Sequence, residues 1–408
     1  MISGANRDTF RSTEMRIIQR CTIVAITLLS LLCLTAADDK VAPDLKKERE
    51  AWLSRLDIEI VKIDDDEERA NAAQYVIIAF STAGDFSGAR RIMDHHVPAN
   101  QRGSALIYIA DGQSSADLLD AALATAKEAK EVFIQQRILG LIAIRQAQRG
   151  DLKDATALLS KITNPDARDW ALSSIAEAQA NAGDLRAAEA SVAAIVDKDK
   201  KSQAQEAIKT AQADPIREIR SKVIRDSLSA MLSFSGQAKQ TEAIQAIVAA
   251  QKKDEEGLQK HVRAALEQVK DGIALEQATT CTLLAVALAE AGRDEEAKQM
   301  ILAARKANDQ EWLGVSSLFG SPIIVHLLIR LDFKEEFDEF MNSFDKDDSL
   351  ARLGYLTNLL TAGSTYAYLH RLADAETYYR QLKLSAERVH FAAGVLSSLK
   401  VDEFPETD

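Results

Sequence analysis

Along most of the chain the apolar residues recur every three or four positions, the period of a helix with one buried stripe. Leu172, Ile175, Ala176 and Gln179, followed by Ala182, make one such stripe, and Ala188, Val192 and Ile195 make the next. Between them stands Gly183-Asp184. The same passage occurs four times, as Asp85-Phe-Ser-Gly-Ala89, Asp117-Leu-Leu-Asp-Ala121, Asp151-Leu-Lys-Asp-Ala155 and Asp184-Leu-Arg-Ala-Ala188, with the aspartates 32, 34 and 33 residues apart. Three of the four follow a glycine directly (Gly84, Gly150 and Gly183). Glycine supplies the left-handed backbone that ends a helix, and the aspartate is expected to cap the free N–H groups of the next. The alanine four positions on is the close contact between the two helices. Pro98 and Pro165 fall between units, where a helix stops.

A pair of antiparallel helices repeating at about 34 residues resembles the tetratricopeptide repeat. The packing positions of that family are matched by Leu359, Ala362, Gly363, Tyr366, Ala375, Tyr379 and Leu382, and again by Cys281, Leu284, Ala285, Leu288, Gly292, Ala297, Ile301 and Ala304. The resemblance implies an all-α fold, an α-solenoid of helix pairs wound as a right-handed superhelix; a helical-repeat solenoid of another type stays open. Lys198–Gln277 and Lys306–Tyr355 keep a helical composition but lose the period, with Arg225–Val248 as one degenerate unit. The lysine-rich Asp197-Lys-Asp-Lys-Lys201 reads as a loop or helix end near a module boundary, at about residue 200 or at Asp214-Pro215. The organisation expected is a signal peptide at 1–37, a regular array at 38–213, a more degenerate array at 214–400 and an acidic tail at 401–408.

Composition agrees with helices. Gly numbers 17 and Pro 6 in 408 residues, well under the ordinary shares of about 7% and 5%, so turns for an all-β fold are lacking. Cys21–Ala37 is uncharged, follows Arg16 and Arg20, and ends in small residues before Asp38, the make-up of a secretory signal; Met15 is an alternative start. An uncleaved membrane anchor is the rival, at the lower limit of a span. Without residues 1–37 the chain carries 46 basic and 60 acidic side chains, a net charge of −14. That field disfavours nucleic acid and favours basic partners. Cys281 alone then remains of the three cysteines, so no internal disulfide forms, and no Asn-x-Ser/Thr sequon occurs. A bacterial periplasm or a secreted location is expected.

Motifs that carry chemistry are missing from the sequence: no phosphate-cradling Gly loop, no His-Glu-x-x-His, no Gly-x-Ser-x-Gly. Asp64–Glu68 lacks the glycine of a calcium loop and is expected to open a helix. Asp94-His95-His96 has no third ligand nearby and is expected at a helix end. Tyr366 and His370, four apart and so on one helix face, with Tyr368, Tyr378 and Tyr379, form the densest aromatic group; core packing is expected, a small-molecule pocket the alternative. Cys281, among Leu284 and Leu288, is expected to be buried and inert. No catalytic, metal or cofactor residue is assigned.

In proteins resembling this one the first helix of each pair lines the concave surface. The stripe opposite the core runs Asn71, Tyr75, Ile78 and Thr82, then Arg137, Leu141, Ile144 and Gln148, then Trp170, Ser174, Glu177 and Asn181, with Ile107 from the less regular second repeat. Apolar centres with polar ends suit a peptide or an amphipathic helix of basic or amphipathic character. Packing of Tyr75, Ile78, Leu141 and Ile144 against neighbouring repeats, or against an N-terminal helix around Trp52, is the alternative. The expected function is a non-enzymatic, exported protein-binding scaffold; the alternatives are a toroidal all-α enzyme acting on an envelope polymer and a membrane-anchored assembly subunit.

Overall fold

The computed structural model describes residues 45–181, 184–213, 240–310, 316–344 and 349–399. The expected signal segment, the start at Met15, Gly183, Asp214-Pro215, most of Arg225–Val248 and the acidic tail lie outside them. The described residues form nineteen helices and no strand, so the chain is all-α. They divide into two compact units, one drawn from residues 53–217, the other from 218–400 together with the chain up to Trp52.

The first unit is built from helix pairs. After α1 (Leu45–Ile60) come α2 (Asp66–Thr82) with α3 (Phe86–His96), α4 (Arg102–Ser115) with α5 (Leu119–Glu128), α6 (Val132–Gln148) with α7 (Leu152–Leu159), and α8 (Pro165–Asn181) with α9 (Leu185–Ala193); α10 (Lys198–Ala213) follows. The longer first helix of each pair packs on its partner and on the first helix of the next pair, so α2, α4, α6, α8 and α10 stand in a row. The lysine-rich stretch is thus a helix start, not a loop: Asp197 accepts the Lys200 N–H at 2.8 Å, and the helix it opens extends the row.

The second unit repeats the plan. It comprises α11 (Thr241–Lys252) with α12 (Glu255–Val269), α13 (Ala274–Glu290) with α14 (Asp294–Gln310), α15 (Ser316–Arg330) with α16 (Lys334–Asn342), α17 (Ser349–Tyr368) with α18 (Leu372–Gln381), and a final α19 (Ser385–Ser398). Trp52, fully buried, packs edge-on to Tyr379 at 5.4 Å between ring centroids and lies 6.3 Å from Phe391.

One corner recurs in both units. A left-handed residue ends the first helix: Gly84, Asp117 and Gly150 in the first unit, Lys253, Gly292, Asp332 and His370 in the second. The next residue donates its N–H to the carbonyl five positions back, as in Asp85 to Phe80, Leu118 to Gln113, Asp184 to Gln179 and Arg371 to Tyr366, all at 2.8–2.9 Å. This is the Schellman ending, which satisfies carbonyls the helix leaves free. Four positions beyond comes the buried contact, Ala89, Ala122, Ala155 and Ala188, then Leu258, Ala297, Phe337 and Ala375.

The corners correct four readings. Asp117 does not cap: it occupies the left-handed position itself (φ 66°), so the second repeat is shifted by one and Ala122, not Ala121, is the fully buried contact. Asp151 makes no side-chain cap, whereas Asp85 and Asp184 accept from Gly88 and Ala187 at 2.9 and 3.0 Å. The period of the second half is not lost but lengthened, since its corners fall 39, 40 and 38 residues apart against 33 in the first. His370 is itself a corner residue (φ 55°) and exposed, so it does not share a helix face with Tyr366.

Gly150 isolates the cost of the corner backbone. Its φ is 93° and an added Cβ would meet nothing within 4 Å. Gly150→Ala is expected to destabilise the first unit by about 1–2 kcal/mol through backbone strain alone, read as a lower denaturation midpoint at unchanged slope.

Candidate interaction face

The row of first helices sets the geometry of the candidate face. Small residues bring neighbours together: a Cβ on Gly112 of α4 would stand 2.7 Å from the Ser81 carbonyl oxygen of α2, and one on Gly140 of α6 would stand 3.2 Å from the Trp170 ring of α8. Buried polar side chains one repeat apart fix the following loops. Gln136 accepts the Asn164 N–H at 2.6 Å and donates to Thr163 at 2.9 Å. Asp169, 33 positions on, accepts from Val196 and Asp197 at 3.2 and 2.8 Å.

With that register, equivalent positions line up across α2, α4, α6 and α8. The first tier is Asn71, Ser104, Arg137 and Trp170; the second is Tyr75, Tyr108, Leu141 and Ser174; the third is Ile78, Asp111, Ile144 and Glu177. Thr82, Ser115 and Gln148 continue into a fourth tier, where the Asn181 side chain lies outside the described set. The stripes assigned from sequence therefore share tiers, but they do not share exposure. Tyr75, Ile78 and Ile144 are buried and belong to the packing between helices. Asn71, Gln148 and Glu177 are exposed, and Thr82, Arg137, Leu141, Trp170 and Ser174 are half-buried. The accessible part of the stripes is thus their polar ends with Leu141 and Trp170.

The second repeat was represented by Ile107 alone. Its tier residues are instead Ser104, Tyr108, Asp111 and Ser115, each 33 positions from a residue of the first or third stripe; the repeat offset, carried through the irregular repeat, finds them. Asp111 accepts two hydrogen bonds from Arg145 at 2.9 and 3.1 Å, a forked pair joining α4 to α6. The Arg137 guanidinium lies 4.4 Å from the centre of the Trp170 ring. Burial holds Arg137 below its ordinary value, Tyr108 opposing this, and pushes the Tyr108 phenol up; arginine nevertheless stays cationic near neutrality.

Charged side chains elsewhere join one repeat to the next. Arg149 donates to the Asp117 carboxylate and to the Ser114 carbonyl at 2.7 Å. Arg371 does the same one unit later, to Asp332 at 2.8 Å and the Ile329 carbonyl at 2.9 Å. Corner aspartates thus serve as acceptors for the following repeat.

The remaining candidates have structural roles. Asp65 accepts the Glu68 N–H at 2.7 Å and opens α2. His95 and His96 lie in the last turn of α3, and burial beside Arg69 lowers His96. Tyr366 and Tyr379 are buried, and Tyr378 packs with Phe337 and Phe391 at 5.3 Å each; burial pushes the Tyr366 phenol up to about 12. Cys281 is buried, its thiol raised to about 11. Among the described residues no cluster of His, Cys, Asp and Glu is arranged for a metal ion, and no helix is long and apolar enough to cross a membrane. Comparison with protein-family models, with curated proteins and with solved structures finds no match.

Proposed function

We propose that this chain is an exported, non-enzymatic interaction protein whose tetratricopeptide-like helix pairs bind a protein segment, an extended peptide or a helix, across the faces of α4, α6 and α8. The reading is supported chiefly by the tiers: equivalent positions of consecutive helices stand side by side and present a half-buried Leu and Trp beside polar groups. Such a pattern offers anchor residues within a polar rim, the anatomy of peptide-binding surfaces. Export is supported by the uncharged run Cys21–Ala37 behind Arg16 and Arg20. The absence of nucleophile, metal and phosphate motifs from the sequence favours binding over catalysis.

Selection of random displayed peptides on the full chain tests the reading. The expected result is a consensus sequence whose affinity falls about tenfold or more when Trp170 or Leu141 is changed to Ala, the effect of removing an interface anchor. Failure to enrich any peptide, or binding indifferent to both changes, overturns it.

A further inference from the structure

Arg137 stands apart from its neighbours. Arg90 reaches Glu128 at 2.5 Å, Arg145 reaches Asp111, and Arg149 reaches Asp117. Arg137 is half-buried among them, yet bonds to no carboxylate among the described residues; its guanidinium lies 4.4 Å from the centre of the Trp170 ring, and Tyr108 on another helix acts on it electrostatically. A guanidinium that lies over a ring uses its flat face there, and its N–H edge stays available for an in-plane acceptor. A half-desolvated cation without a counter-charge is costly unless something supplies one.

We propose that Arg137, seated on Trp170, is the anchor for a carboxylate, an Asp or Glu side chain of the bound segment, with an adjoining apolar residue over Leu141. This rests on the peptide-binding reading above and makes the partner locally acidic, not basic as the chain's net charge suggests. At contact distance the guanidinium decides, because the acidic surface beyond about 8 Å is screened at physiological salt. The planar fork matches a carboxylate in two bonds, and the ring holds the fork in place before the ligand arrives.

The test has a small-probe arm and a peptide arm. In the first, the full chain with 15N-labelled Trp is titrated with N-acetylglutamate and with N-acetylglutamine, the Trp170 indole signal being assigned by its loss in Trp170→Phe. The expected result is a saturable shift with the acid alone, absent in Arg137→Gln, several-fold weaker in Arg137→Lys, and unchanged in Arg149→Gln. Thermal melting shows whether each variant is folded, and Arg137→Lys, which keeps the charge over the ring, serves where Arg137→Gln does not fold. No saturable shift in the wild type, or one that persists in folded Arg137→Gln, overturns the proposal. In the second arm, Glu→Gln or Asp→Asn in an enriched peptide is expected to cost about ten- to a hundredfold on the wild type, the worth of a charged hydrogen-bonded pair, and under about twofold on Arg137→Gln. Enriched peptides without an acid, together with no probe shift, sink the anchor and leave the binding face standing. A probe shift with no enriched peptide does the reverse.

Discussion

Changing Gly394 to Ala is expected to cost the second unit more than about 4 kcal/mol, at the far end of single substitutions. An added Cβ would stand 1.9 Å from the Leu360 carbonyl oxygen and 2.8 Å from its carbon. Gly363 faces the same contact from the other side, where a Cβ would stand 2.1 Å from the Phe391 carbonyl oxygen and 2.9 Å from the Val395 nitrogen. In both cases the obstacle is backbone of a packed helix, which no rotamer change removes. The two helices must separate by more than 1 Å, breaking the buried contacts of Leu360, Phe391 and Val395 and the Ser364–Ser398 hydrogen bond at 2.6 Å. Alanine recovers only about 1 kcal/mol of helix propensity. Gly140→Ala supplies the contrast, since its nearest obstacles are side chains of Trp170 and Ala171 at 3.2–3.3 Å, and its effect is expected within about 1 kcal/mol of zero. Denaturant unfolding of the three variants decides the matter; a loss under about 1 kcal/mol for both Gly363→Ala and Gly394→Ala would show that the close approach is not needed.

The repeat was legible in the sequence wherever its corner used glycine or a capping aspartate. It became illegible where chemistry varied and geometry did not. Lys253, Asp332 and His370 adopt the left-handed corner without being glycine, and Arg293, Phe333 and Arg371 start the second helix without a short capping side chain. The conserved quantity is the pair of backbone hydrogen bonds closing the corner, which many side chains tolerate. Asp117 shows the opposite hazard: an aspartate in the expected place has another job, bound by Arg149 from the next repeat. On the candidate face, periodicity placed Arg137, Leu141 and Trp170 on one side of their helices. It left contact and packing open for Tyr75, Ile78 and Ile144, which are buried, because burial of a helix's outer stripe depends on how its neighbours lean. Nor does sequence reveal which of several arginines is paired; Arg145 meets Asp111 of the preceding helix, Arg137 the Trp170 ring of the following one.

Acid should weaken the second unit well before its carboxylates titrate. His326 on α15 is half-buried and His390 on α19 is buried, and burial, with the positive charge of Arg330 or Arg352 nearby, holds each at about 4 instead of 6.5. His390 donates Nδ1–H to the Ala386 carbonyl at 2.8 Å, and His326 Nδ1 lies 3.2 Å from the Thr365 hydroxyl. Both are neutral in the fold. The unfolded chain takes up these protons near pH 6.5, the folded chain only near 4, so between those values the unfolded state binds more protons and stability falls as pH falls. The contribution is complete above pH 6.5 and is lost progressively toward 4. At pH 5 each histidine is expected to have given up about 2 kcal/mol, or about 4 kcal/mol for the pair. Denaturant unfolding at pH 7 and pH 5, followed by a probe in the second unit, measures the sum. His326→Gln and His390→Gln remove the titrating groups, so each should cut the difference between the two pH values by about 2 kcal/mol, whatever it does to stability at pH 7. A difference that survives intact in both variants would show that these two histidines are not the source of the acid sensitivity.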